Sequence, residues 1–404
     1  MASGRPGFAA KAPALVSLAC LAMAWGAMLW LTGRPIATDD LWWHLALGEA
    51  YAEHGLALAE DPLFHTAPDQ PTVPHEWLFQ VAVHGLHRGL GFQGLRVVHV
   101  LLVAGILVWS FALFRRAAES VAAAALASAV LIALSWYRLF QFRPELLSLL
   151  AILALYALVL ARDEPPGRAR LAAALGLLVV WVNAHSVFAV GLALLFAAAL
   201  GVALEAALAQ VTPGAQDPAR RLRLRRLALL LVLGALATAL NPRGFAQHAT
   251  FFTESASGDI WLLRDDFLSW NPFRPVRNNA ALRFYSWLVA DGLLLVFLAT
   301  AASGALRWLR ERSPAALRAL DVPHLALAAA GLAAMLVAAR FHWLALFPLL
   351  YLLRALRLRA SEPTRAAWAW ICAGTCVVVS LSFPRGVGIE AFRRELLAEP
   401  GGYW

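Results

Sequence analysis

The sequence predicts an all-α polytopic membrane protein with about eleven transmembrane helices. Three observations predict it. Hydrophobic residues make up 61% of the 404 residues and charged residues only 15%, with a mean hydropathy of +0.66; soluble domains carry about 45–50% apolar and about 25% charged residues. Apolar runs of roughly the 17–25 residues that cross a bilayer recur from end to end. Most arginines fall in the short segments between those runs, as membrane topology demands.

The elements follow in order. Residues 12–32 form an apolar run too long for a signal-peptide core and without an obvious small-residue cleavage site, so they read as a retained membrane helix. A long outer loop spans 33–96. Within it, TDDLWWHLALGEAYAEH (38–54) has the pattern of an amphipathic helix lying on the membrane surface. Thr38 or Asp39 caps it, and Trp42 and Trp43 sit at headgroup level. After a turn-rich stretch, a second surface helix begins near Pro74, carries His75, Glu76 and Trp77 in its first turn, and continues to about His87. The chain re-enters the membrane at Arg96. Ten further runs lie at 97–114, 118–137, 144–161, 169–184, 186–208, 227–240, 284–302, 323–339, 341–353 and 366–383. Those at 227–240 and 341–353 are short, as tilted or broken helices are. Residues 1–383 are thus one transmembrane domain, with a second long outer loop at 241–283 and a short outer segment at 384–404.

Placing the N-terminus in the cytoplasm and alternating puts 20 of the 34 basic residues in short cytoplasmic segments. This obeys the positive-inside rule. The net charge of +9 is therefore a topological signal, and nucleic acid is not an expected partner. Cys20, Cys372 and Cys376 all lie in apolar runs and frame neither a disulfide scaffold nor a zinc site. No glycine-rich phosphate loop is present, so a soluble nucleotide is not supported as a direct donor.

The first outer loop holds 8 of the 25 acidic and 6 of the 11 histidine residues. Asp39 and Asp40 stand where the first span leaves the bilayer. A carboxylate there acts as a general base on a hydroxyl or binds a cation; the plainer reading makes one an N-cap and the other a partner of the helix dipole. Glu76 has the same plain reading. Arg143 and Glu145 flank Pro144 and either pair with each other or join a site. Arg340 and His342 lie between two late spans, where a guanidinium suits a lipid phosphate. Asn183 and His185 mark a tight outer turn. Arg243 belongs to the second long loop, and Asp291 lies inside a span without an evident partner. Asp40 and His44, four residues apart, are the pair placed to hold a divalent cation such as Mg or Mn, with His75 and Glu76 able to approach them.

The order of spans and of Asp39-Asp40-Leu41-Trp42-Trp43-His44, Gly48-Glu49, Asp61-Pro62 and His75-Glu76-Trp77 resembles the first periplasmic loop of GT-C type glycosyltransferases. It is most similar to bacterial lipopolysaccharide-core and mannosyl/arabinosyl transferases that use polyprenyl-phosphate sugars. Later echoes are Trp181, Asn183 and His185, then Asn241-Pro242-Arg243-Gly244, then Arg340. The resemblance implies an enzyme of the bacterial inner membrane with its site on the periplasmic side. It implies a polyprenyl-phosphate-linked sugar as donor and a glycolipid, polysaccharide or protein as acceptor. Asp39 or Asp40 is then the catalytic carboxylate, and His44, His75, Glu76, Arg143, Glu145, His185, Arg243, Arg340 and His342 bind donor or acceptor. Two other classes remain open at this level. A lipid or glycan transporter or flippase would show inverted repeats and midplane charges, and neither is evident; a non-catalytic assembly subunit would keep the scaffold alone.

Overall fold

The computed structural model describes residues 8–36, 40–58, 63, 73–249, 269–274, 283–359 and 361–388. Among them every regular element is helical. The α-helices are α1 (Phe8–Thr32), α2 (Asp40–His54), α3 (Trp77–Ala118), α4 (Val121–Phe140), α5 (Glu145–Leu155), α6 (Arg168–Ala184), α7 (Phe188–Gln210), α8 (Pro218–Ala237), α9 (Phe284–Glu311), α10 (Pro314–Leu320), α11 (Val322–Val337), α12 (Leu346–Arg359) and α13 (Glu362–Gly386). A π-helical turn, Tyr156–Leu160, continues α5, and a 3-10 turn, Ala339–Ala345, precedes α12. Helix starts are written into the sequence. Ser120, Asp217 and Ser313 cap α4, α8 and α10, their side-chain oxygens accepting from the N–H groups of Ala123, Ala219 and Ala316.

All eleven expected apolar runs are helical. Among the described residues, eight stretches are long and apolar enough to cross a membrane, and the chain is an integral membrane protein. The other three runs fall in α5 with its π turn, in the 17-residue α6, and in α8, whose first half carries Arg220, Arg221, Arg223, Arg225 and Arg226.

α4 is the centre of the bundle, with 83% of its apolar window buried. Six of its first ten residues are alanine, and α1, α3 and α13 pack against it. Apolar burial does not drive helices together in lipid, so close backbone approach over small residues supplies the packing. Cys20, Cys372 and Cys376 are free and buried in this core.

The two expected surface helices are present. In α2, Leu41, His44, Leu45, Gly48 and Tyr51 are buried, the spacing of one helical face. Gly48 is required by contact, because a Cβ there would collide with the Gln80 carbonyl of α3. The second surface helix is the first part of α3. It runs unbroken into the membrane span except at Gly91, whose φ of 63° is the left-handed geometry that glycine tolerates. Just beyond, the Arg96 guanidinium donates to the Gly33 carbonyl at the end of α1. That bond closes the neck of the loop.

Candidate active site

The residues picked from the sequence come from six separate segments, and most of them meet at one end of the bundle. Asp40 opens α2, and its Oδ2 lies 2.9 Å from Arg143 Nη2, in the link between α4 and α5. Glu145, the first residue of α5, is the hub. Its Oε1 is 3.5 Å from Arg138 Nη1 and 3.2 Å from Arg340 Nη2, and its Oε2 is 3.8 Å from His185 Nε2. His185 Nε2 also lies 3.4 Å from Glu76 Oε1. Three carboxylates therefore face three guanidiniums, which is how charges survive at a membrane boundary.

Pairing of Arg143 with Glu145, one of the two readings of that motif, does not occur: Arg143 goes to Asp40, and Glu145 to Arg138, Arg340 and His185. Pro144 between them turns the chain so that the two side chains serve different partners. Glu76 occupies the cap position of α3 but makes no side-chain cap bond. Its carboxylate is engaged by His185 instead.

His185 is held by a defined relay. Trp181 Nε1–H donates to Ser148 Oγ at 2.7 Å, and Ser148 Oγ lies 2.6 Å from His185 Nδ1. Nε2 faces two carboxylate oxygens, which only accept, so Nε2 carries the imidazole proton and Nδ1 is the acceptor. The serine oxygen therefore accepts from the indole N–H and donates its own proton to Nδ1. Burial pushes the His185 pKa down to about 3 against the opposing pull of Glu145, so the ring is neutral at pH 7. Burial likewise pushes His44 down to about 4, with Asp40 and Glu145 opposing. His44 packs edge-on to Phe79 and lies 3.5 Å from Gln80 Nε2.

The loops that carry these groups are stitched together. Trp77 Nε1 donates to Asn183 Oδ1 at 2.8 Å, and Asn183 Nδ2 donates to the carbonyls of Val179 and Leu240. Gln247 Nε2 donates to the His75 carbonyl at 3.1 Å, which ties the second long loop to the first. The His75 ring stays local, with Nδ1 2.8 Å from the Val73 carbonyl.

Two expected residues stand apart. Arg243 lies in a turn where its backbone N–H donates to Asn241 Oδ1 at 2.8 Å. His342 is fully buried edge-on to Trp270, and neither ring nitrogen has a hydrogen-bond partner among the described residues. Trp270 also supplies the partner that Asp291 lacked in the sequence, donating to its Oδ1 at 3.1 Å. Asp39 lies outside the described residues. Arg138, Ser148 and Gln80 belong to the site but were not picked from the sequence. An arginine at the end of an apolar run was a usable signal for Arg138; Ser148 and Gln80 carried none.

The pair expected to hold a divalent cation is engaged as follows among the described residues. Asp40 already faces a guanidinium, His44 is buried beside Gln80, and no group of three or more His, Cys, Asp or Glu among the described residues is placed to hold a metal ion. The chemistry available is that of a carboxylate at the membrane edge beside arginines. Asp40 is the accessible acid, its side chain 40% exposed against 10% for Glu76 and 7% for Glu145.

The described residues thus form an all-helical bundle with two surface helices after its first span and a charged cluster at their base. Compared by shape, the chain is similar to the archaeal oligosaccharyltransferase AglB from Archaeoglobus fulgidus, solved in complex with an inhibitory peptide and a dolichol-phosphate. The TM-score is 0.57 and the identity 12%, over 96% of this chain and 58% of AglB. The chain thus spans little more than half the length of that neighbour, and the likeness is one of fold. Compared by sequence, it matches no protein-family model and no curated protein.

Proposed function

We propose that the protein is an inner-membrane glycosyltransferase of bacterial type. It moves a sugar from a polyprenyl-phosphate carrier to a glycolipid, polysaccharide or protein acceptor on the periplasmic side. The observation that carries this reading is the Asp40–Arg143 pair beside Arg340, an accessible carboxylate and two guanidiniums at the lipid boundary of a GT-C type fold. The dolichol-phosphate bound by AglB supports the donor class.

In this mechanism an acceptor hydroxyl oxygen attacks the anomeric carbon of the donor. The bond from that carbon to the phosphate oxygen breaks, and its electron pair leaves on polyprenyl phosphate. Asp40 takes the hydroxyl proton, Arg143 orients the Asp40 carboxylate, and Arg340 stabilises charge growing on the phosphate. Displacement in one step inverts the anomeric configuration. His185, Glu76 and Glu145 position Arg340 and the loops and do not touch substrate.

The test is transfer in proteoliposomes from a polyprenyl-phosphate sugar, with Asp40→Asn and Asp39→Asn beside the parent chain. Intact transfer in both variants overturns the base assignment. Failure of the parent chain to retain any polyprenyl-phosphate sugar in native mass spectrometry overturns the donor class.

A further inference from the structure

Arg96, Arg138, Arg143 and Arg340, at the charged end of the bundle, are each bonded within the fold. Arg283, the cap residue of α9, is not. It has no side-chain hydrogen bond or ion pair among the described residues, although its Nε is buried. A buried guanidinium donor without an acceptor is costly and calls for an explanation.

The packing of α9 against α4 shows what Arg283 faces. Ser286 Oγ donates to the Ala133 carbonyl at 2.9 Å. Arg283, three residues before Ser286, therefore comes level with Trp136, three residues after Ala133. The guanidinium carbon lies 5.9 Å from the Trp136 ring centre, a cation–π distance. Trp136 is 2% exposed, and its indole N–H is a second buried donor without an acceptor among the described residues. The end of α13 forms the third side. Tyr285 donates to the Val379 carbonyl at 2.6 Å. A Cβ at Gly386 would collide with Tyr285, and one at Gly388 with the Arg283 guanidinium. Arg385, exposed on the last turn of α13, stands three residues before Gly388 and likewise has no side-chain hydrogen bond or ion pair among the described residues. No acid occurs in residues 133–140, 283–290 or 379–388. Asp291, two turns further along α9, accepts from Trp270.

We propose that this corner, between Arg283, Arg385 and Trp136, binds a phosphate oxyanion carried by a membrane lipid. A phosphate has enough acceptor oxygens to serve a guanidinium fork and an indole N–H together. The surroundings favour a lipid as its source. Phe284, Leu288 and Leu381 are exposed beside the two arginines, an apolar surface for acyl chains. Basic pockets between membrane helices are headgroup sites on general grounds. The inference is independent of the transferase reading, because it uses none of the residues placed in transfer.

The test is native mass spectrometry of the full chain in mild detergent with phosphatidylglycerol or phosphatidylcholine of the same acyl chains. The parent chain is expected to retain phosphatidylglycerol preferentially. Arg283→Gln with Arg385→Gln should lower that retention about thirtyfold, from the rough worth of two arginines near an anionic headgroup. Arg385→Gln alone should lower it about fivefold. Millimolar inorganic phosphate should not displace the lipid; displacement would assign the site to free phosphate and overturn the lipid as its ligand. Equal retention of both lipids by the parent chain, or unchanged phosphatidylglycerol retention in the double variant, overturns the proposal. If the double variant fails to fold, Arg385→Gln decides, since that side chain is exposed and unbonded, and unchanged retention there overturns it.

Discussion

Glu145→Gln tests the cluster most directly. The side chain of Glu145 is 7% exposed and faces Arg138, which is 3% exposed, and Arg340, which is 19% exposed. The amide keeps the shape and removes the charge, so Arg138, which also donates to Gln141 Oε1 at 3.0 Å, stays buried without the Glu145 carboxylate. Breaking a buried ion pair from one side costs about 3–5 kcal/mol, because the surviving charge stays desolvated. That is on the order of a hundredfold to several-thousandfold in the unfolding equilibrium. Asp40→Asn is the control. Its pair with Arg143 is 40% and 19% exposed, and exposed pairs are worth about 0–1 kcal/mol. Both variants are measured by denaturant unfolding in the same mild detergent. Glu145→Gln should be the less stable by at least about 2 kcal/mol. Adding Arg138→Met to Glu145→Gln should recover much of the loss, since the stranded charge is then gone. Equal stability of the two single variants, or no recovery in the double, would refute the assignment of Glu145 as a buried hub.

Further outcomes follow from the same geometry. Asp40→Asn should keep the fold and lower glycosyl transfer by about 10²–10⁴-fold, the usual weight of a general base, read as initial rate in proteoliposomes. Trp181→Phe should cost about 0.5–1.5 kcal/mol by removing the donor that orients Ser148, seen in denaturant midpoints; a wild-type midpoint would leave the relay without energetic weight. His44 and His185 have native pKa values of about 4 and about 3 against 6.5 for the free side chain. The unfolded chain therefore binds protons first on acidification. Stability should be full above about pH 6.5 and fall as pH drops toward 4, and His44→Gln with His185→Gln should flatten that slope. Gly48→Val should push α2 off the Gln80 carbonyl at a cost of about 1–3 kcal/mol, with loss of transfer greater than the loss of stability explains.

Much of this arrangement was legible in the sequence, because the bilayer imposes strong patterns. Every apolar run became a helix, and TDDLWWHLALGEAYAEH became the surface helix α2, starting at Asp40 among the described residues. Asp40, His44, Glu76, Arg143, Glu145, His185 and Arg340 were singled out because ionisable groups at a membrane edge need a reason to be there. Partner choice was not legible. The Arg143–Glu145 motif suggested a local pair, but that choice depends on which way Pro144 turns the chain and on Arg340 arriving from 195 residues away. Ser148 was invisible because a serine in an apolar helix ordinarily bonds its own backbone; only the approach of Trp181 and His185 gives it another role. Gly91 read as one glycine among many until a surface helix and a span had to join across it.

The ion pairs also decide which helices cross. Hydropathy alone leaves out α6, with 17 residues, and α8, with its arginine-rich start. Yet Asp163, just before α6, pairs with Arg354, while His185, just after it, contacts Glu76 and Glu145. Arg354 lies one turn before Arg357, which reaches Glu119 at the start of α4, whereas Glu145 reaches Arg138 at the end of α4. The two ends of α6 are therefore at the two ends of the bundle, and its roughly 25 Å of helix connects them. The same holds for α8. Arg223 in its second turn lies 3.8 Å from Asp163, and Leu240 beyond its end accepts from Asn183 beside the cluster. Helices too short or too polar to qualify on composition still traverse the fold, and on α8 Arg220 and Arg223 are met by Glu205 and Asp163 from other segments. The acids at each end thus allow charged helix termini to pack, and at one end Asp40 is the most exposed carboxylate of the cluster.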